Sequence, residues 1–175
     1  MRSEKKSRSL RQHMIILGID PGLASTGFGA IVCAAKGPLL FKCGHIKTAP
    51  GNSVANRLFQ IHRDMERLID ATRPALVAIE NVFSLVRYPK AGILLGGVLG
   101  ALYLTVCQHN IRLVEISPKE VKNALVGFGG ANKSQVKETV QRLLGTDGIR
   151  SFHAADALAV ALTAYYRNSM WSDER

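Results

Sequence analysis

Three acids and one histidine stand where this chain could assemble hydrolytic chemistry: Asp20, Glu80, His153 and Asp156. Asp20 closes the apolar run Ile15-Ile16-Leu17-Gly18-Ile19 and precedes Pro21-Gly22, which places it at the rim of a buried strand that stops abruptly. A carboxylate there needs hydrogen bonds or a metal ion to offset its desolvation. Ordinary turn chemistry, with Asp20 as a capping residue, fits the same local pattern. Glu80 repeats the arrangement at the end of the apolar run from Ala75 to Ile79. His153 and Asp156 lie three apart in an alanine-rich stretch, and so on one face near the start of a helix. Imidazole and carboxylate so placed can share a metal ion; an acid in a first helical turn also simply complements the helix dipole.

The elements that must position these groups follow from periodicity. The runs Ser25 to Cys33 and Leu39 to Lys47 read as two further strands, joined to the first by connections short enough for an antiparallel meander. From Ser53, the residues Val54, Leu58, Ile61, Met65, Leu68 and Ile69 follow helical spacing until Pro74. This helix makes the next strand, with Glu80 at its end, a crossover strand parallel to one already in the sheet. If it lies beside the first, Asp20 and Glu80 share a rim, and two carboxylates that close repel unless cations intervene. Phe83, Arg87, Tyr88 and Lys90 follow, a mixture suited to stacking on bases and neutralising phosphates. A core role for Phe83 fits equally well.

The run from Ala91 to Cys107 carries no charge and is slightly short for a membrane span. Its glycines at 92, 96 and 100 give a helix face that another backbone can approach closely, so the expectation is a buried helix, a candidate subunit interface and no membrane partner. Arg112 to Ile116 supplies a fifth strand. Ser117-Pro118-Lys119-Glu120 has the form of a capping box with proline at the first helical position. Gly127 to Ser134 has the spacing of a phosphate-binding loop, but Asn132 stands where the second glycine belongs and the segment follows a helix, which excludes a nucleoside-triphosphate site of that type. Lys133 there, and Lys122 on the helix before, can still hold a nucleic-acid backbone, although a solvated loop accounts for the same residues.

At 175 residues the chain suits one domain, read as residues 14–167 between a basic, disordered extension over 1–13 and a polar tail over 168–175. The extension contributes +4 of the formal net charge of +10, and that balance favours an acidic polymer as partner. Cys33, Cys43 and Cys107 form neither a disulfide framework nor a zinc spacing, and a reducing cytoplasm is the simplest setting.

The motifs Ile-Leu-Gly-Ile-Asp20-Pro-Gly with Ser-Thr-Gly-Phe-Gly, Ile-Glu80-Asn-Val-Phe83, and His153-Ala-Ala-Asp156-Ala-Leu-Ala together resemble the RuvC family of Holliday junction resolvases, from about Met14 to Tyr165. The resemblance implies an α/β, RNase H-like fold, a five-stranded mixed sheet with helices on both sides, working as a homodimer on four-way junction DNA with the RuvA and RuvB branch-migration proteins. It implies Asp20, Glu80 and Asp156 as metal-binding carboxylates. His153 matches a position where members carry aspartate or histidine, Phe83 the aromatic that meets junction bases, and Lys122 and Lys133 basic residues linked to DNA contact and cleavage. Phosphodiester hydrolysis by two divalent ions roughly 4 Å apart suits these ligands, with magnesium the expected ion and manganese a substitute. The Asp20-Pro-Gly and Ser25-Thr26-Gly27 segment also looks like the first phosphate motif of actin-like ATPases and sugar kinases, but those proteins need a second such domain and a further glycine-rich motif. A non-catalytic DNA-binding module is the remaining alternative.

Overall fold

A computed structural model describes residues 14–81 and 89–172. Five strands, β1 (Met14–Asp20), β2 (Ser25–Ala34), β3 (Gly37–Lys47), β4 (Leu76–Glu80) and β5 (Arg112–Ile116), form one sheet in the order β3-β2-β1-β4-β5. The short connections make β1, β2 and β3 an antiparallel meander, whereas β4 and β5 arrive by helical crossovers and run parallel to β1. Helices α1 (Val54–Thr72) and α2 (Pro89–Gln108) lie on one side, and α3 (Pro118–Val126), α4 (Lys133–Leu144) and α5 (Phe152–Ser172) on the other.

Strand alternation divides the apolar residues between two cores. Leu17, Ile19, Val77 and Ile79 pack towards α1 and α2, while Ile16, Leu76 and Ala78 pack towards α3, α4 and α5. Continued by one residue, the same alternation turns Asp20 and Glu80 to the α5 side. Ile19 pairs in parallel with Ile79, so the two acids emerge side by side at the carboxyl ends of neighbouring strands.

Helix α5 lies unusually close to the sheet. A methyl group built on Gly18 would collide with the Ala157 carbonyl and Ala161, and one on Gly27 with the His153 carbonyl. Glycine on the strands and alanine on the helix are therefore both required by the approach, and Ala154, Ala155, Ala157, Ala159, Ala161 and Ala164 are all buried. Alanine density predicts the helix; its deeper cause is this contact.

Three expectations need correction. The run from Ala91 to Cys107 is helical but only half-buried, because α1 and β5 cover one side of α2; Ile93 and Leu104 remain 76% and 58% exposed, and open space surrounds Gly96 and Gly100. By length and composition α2 is long and apolar enough to cross a membrane, and it packs here on α1. The polar tail from 168 continues α5 to Ser172, since no glycine or proline interrupts it. At α3, Ser117 caps the backbone N–H of Glu120, but the Glu120 carboxylate pairs with Arg167 at 3.4 Å. The reciprocal capping box belongs instead to α4, between Asn132 and Gln135. Asn132 thus stands where a phosphate loop would need glycine because it caps a helix.

Gly18→Ala should destabilise the fold by about 3 kcal/mol, the upper end of overpacking costs, because the new methyl meets backbone that cannot give way. Gly96→Ala, on a helical face left open within one protomer, should leave the stability of the protomer itself unchanged or slightly raised. Urea denaturation of both variants checks the contrast.

Candidate active site

Asp20, Glu80 and Asp156 line one cleft of about 260 Å³ together with Lys122, Lys133, Pro118, Val121, Val136 and Ala159. Strands β1 and β4 supply the first two acids, α5 the third, and α3 and α4 one lysine each. His153, one helical turn before Asp156, sits at the rim, where its Nδ1 lies 2.9 Å from Asp20 Oδ2. Lys133 Nζ lies 3.1 Å from Asp156 Oδ2.

The electrostatics are those of crowded carboxylates. Burial, then the charges of Asp20 and Asp156, push the Glu80 carboxyl up to about 7, with Lys133 partly opposing them. Burial likewise raises Asp20, against the pull of its hydrogen bond to His153. The bond to Asp156 raises Lys133 and so holds its ammonium charged. Among the described residues, no three acids, histidines or cysteines stand close enough as placed to share one ion. The donor set nonetheless fits a divalent cation: three hard carboxylates surround one cleft, and their mutual repulsion is what such an ion relieves.

Backbone and side-chain bonds hold the acids in place. Thr26 donates to the Gly22 carbonyl at 2.7 Å and Thr48 to the Leu23 carbonyl at 2.6 Å, securing the turn after Asp20. The residue after Glu80 is tied more firmly: Asn81 Nδ2 donates to Glu115 Oε2 at 2.7 Å, Tyr103 donates to Glu115 Oε1 at 2.7 Å, and the Asn81 N–H donates to the Ile116 carbonyl at 2.8 Å. Sequence reasoning singled out neither Asn81 nor Glu115, although Asn81 stands inside the Glu80 motif. It also passed over Phe152, half-exposed beside His153 with Lys137 Nζ 4.7 Å from its ring centroid, an aromatic and basic pair at the same end of the sheet. Of the expected site residues, Asp20, Glu80, Asp156, Lys122 and Lys133 meet in the cleft and His153 flanks it. Phe83, with Arg87 and Tyr88, lies outside the described residues, as does the basic extension.

Because Glu80 holds its proton more tightly when folded than its ordinary value of 4.5 allows, it favours the ion-free fold fully at low pH and progressively less as pH rises from about 4.5 through about 7. The difference is on the order of 3 kcal/mol. In EDTA, melting temperature should therefore fall more steeply between pH 5 and 7.5 for the wild type than for Glu80→Gln, and the variant should be the more stable at pH 7.5. Parallel curves would contradict this electrostatic picture.

Comparison with known proteins agrees with the geometry. The family model described as crossover junction endodeoxyribonuclease RuvC matches residues 16–164. A relative of that description from Chlorobium phaeobacteroides is 39% identical over 150 residues, covering 85% of this chain and 80% of its own. Another, from a Synechococcus species, is 41% identical over 157 residues, covering 88% and 99%. Among solved structures, Thermus thermophilus RuvC superposes with a TM-score of 0.82 at 32% identity, covering 90% of this chain and 96% of that one. The same protein in complex with Holliday junction substrate gives 0.81 at 31% identity, with the same coverage. The yeast mitochondrial Holliday junction resolvase, at 14% identity and a TM-score of 0.60, shares the fold. The α/β, RNase H-like architecture is therefore the expected one, and the chain belongs to the RuvC family of crossover junction endodeoxyribonucleases.

Proposed function

We propose that this protein is a structure-selective endonuclease that resolves Holliday junctions in homologous recombination and DNA repair. It makes paired symmetric nicks in opposing strands of four-way junction DNA by metal-dependent phosphodiester hydrolysis. The observation that carries this reading is the meeting of Asp20, Glu80 and Asp156 around one cleft with Lys122 and Lys133 on its walls. Membership of the RuvC family supports it, as does the structural match to a relative in complex with a Holliday junction substrate.

In this reading Asp20, Glu80 and Asp156 would together hold two magnesium ions per subunit, which manganese could replace. When bound, such an ion pair activates water, stabilises the leaving oxygen and relieves phosphate charge. The protein's own groups do the remaining work. His153, bonded to Asp20 through Nδ1, orients that carboxylate and keeps Nε2 for an ion or a water molecule. Lys122 and Lys133 draw the scissile strand into the cleft and neutralise its phosphates. A four-way junction is nearly two-fold symmetric, so a C₂ dimer would set one cleft on each of two opposing strands. The uncovered side of α2, with Ile93, Gly96, Gly100 and Leu104, is the surface for that contact. Family membership supports partnership with RuvA and RuvB, and the cysteine pattern supports a reducing cytoplasm as the setting.

With a synthetic mobile four-way junction, magnesium should bring symmetric, ligatable nicks that are absent in EDTA and on linear duplex. Asp20→Asn should lower nicking at least about 100-fold while junction binding persists. Binding without nicking by the wild type in magnesium and manganese, across several junction sequences, would instead favour a non-catalytic module. His153→Asp, which keeps a hard ligand beside Asp20, should retain nicking within about 10-fold. Complete loss, with folding and junction binding intact, would count against the ligand role.

A further inference from the structure

Lys133 is placed where a bound cation would compete with it. Its ammonium lies 3.1 Å from Asp156 Oδ2, in the cleft that Asp20 and Glu80 also line. It is the first residue of α4, where the helix dipole disfavours a positive charge, so the acids, and not its own helix, hold it there. The reciprocal bonds between Asn132 and Gln135 fix the backbone beneath it. The two partners differ in freedom: the Lys133 side chain is 72% exposed and that of Asp156 only 15%. The ammonium can therefore swing outward on its stem while the carboxylate stays.

We propose that Lys133 is an internal stand-in for a divalent ion, bonded to Asp156 in the ion-free protein and displaced from it when the ion binds. The inference rests on reading Asp156 as an ion ligand. Its consequence is an exchange of partners: the event that frees Asp156 for the ion also releases an ammonium at the mouth of the cleft, where the DNA strand arrives. A phosphate that captures the released ammonium removes the competitor for Asp156, so DNA and ion binding favour each other by linkage.

The test is manganese binding to the full chain without DNA, read from the paramagnetic resonance signal of free ion. Lys133→Met removes the competitor and should tighten binding about 3- to 10-fold, while Lys133→Arg should stay within about 2-fold of wild type. Lys122→Met supplies the control, because Lys122 lines the same cleft with no ion pair among the described residues; it should tighten binding less than about 2-fold. Unchanged or weaker binding by Lys133→Met, with wild-type binding measurable, would overturn the exchange and leave Asp156 as a ligand. Equal tightening by both methionine variants would overturn it as well, assigning the effect to the general field of the cleft. No manganese binding by the wild type, or binding unaffected by Asp156→Asn, would overturn the ligand reading itself and the exchange with it.

Discussion

The parallel, in-register pairing of β1 with β4 is the constraint on which the rest of the structure depends. It aligns Ile19 with Ile79, and strand alternation then turns Asp20 and Glu80 to the same face of the same rim. A slip of one residue would send one acid towards α1 and α2 and separate the pair. The cost of keeping register is electrostatic. Burial at the strand ends, and then the repulsion of the neighbouring carboxylates, make Glu80 hold its proton up to about 7. Stability and chemistry are opposed at this rim, because a fold selected for stability alone would not place these acids together.

The third acid is delivered by closeness and not by pairing. Asp156 enters the cleft because α5 rests directly on β1 and β2, and Gly18, Gly27 and Gly29 remove the side chains that would hold it off. Alanines on the helix complete the contact from the other side. The glycines in strands that are otherwise apolar and β-branched, unfavourable by local propensity, are thus explained by the tertiary approach they permit. The same approach brings His153 down beside Asp20.

Much of this was legible in the sequence, where periodicity and punctuation coincide. Pro21-Gly22 after Asp20, the helical spacing from Val54 to Ile69 and Pro74 behind it locate the meander, the crossover and the two acids at strand ends. The order of the three acid motifs then points to one family. What was not legible depends on contacts between distant segments. The hydropathy of α2 says that its residues are apolar but not that a neighbour covers only one side, so its half-exposure had to be seen. Asn132 reads as a defect in a phosphate loop until its bond with Gln135 reveals a cap. The 2.7 Å bonds from Asn81 and Tyr103 to Glu115 join three separate elements, and no local pattern marks such a hub.

The balance of charge in the cleft separates what is rigid from what can move. Asp20, Glu80 and Asp156 stand on strand ends and on a packed helix, with Asn81 anchored immediately behind Glu80, so the negative charges have fixed positions. Their partners are different in kind. Asp20 has the imidazole of His153, 48% exposed, and Asp156 has the ammonium of Lys133 on a long exposed stem. Glu80 is paired with no cation among the described residues, and a proton neutralises it in part at neutral pH. Each compensating group is thus removable, an exposed ring, a long-stemmed exposed lysine or a proton, whereas each acid is held. Fixed anions with removable counter-groups suit the cleft of a metal-dependent nuclease, which receives a phosphate and a divalent ion.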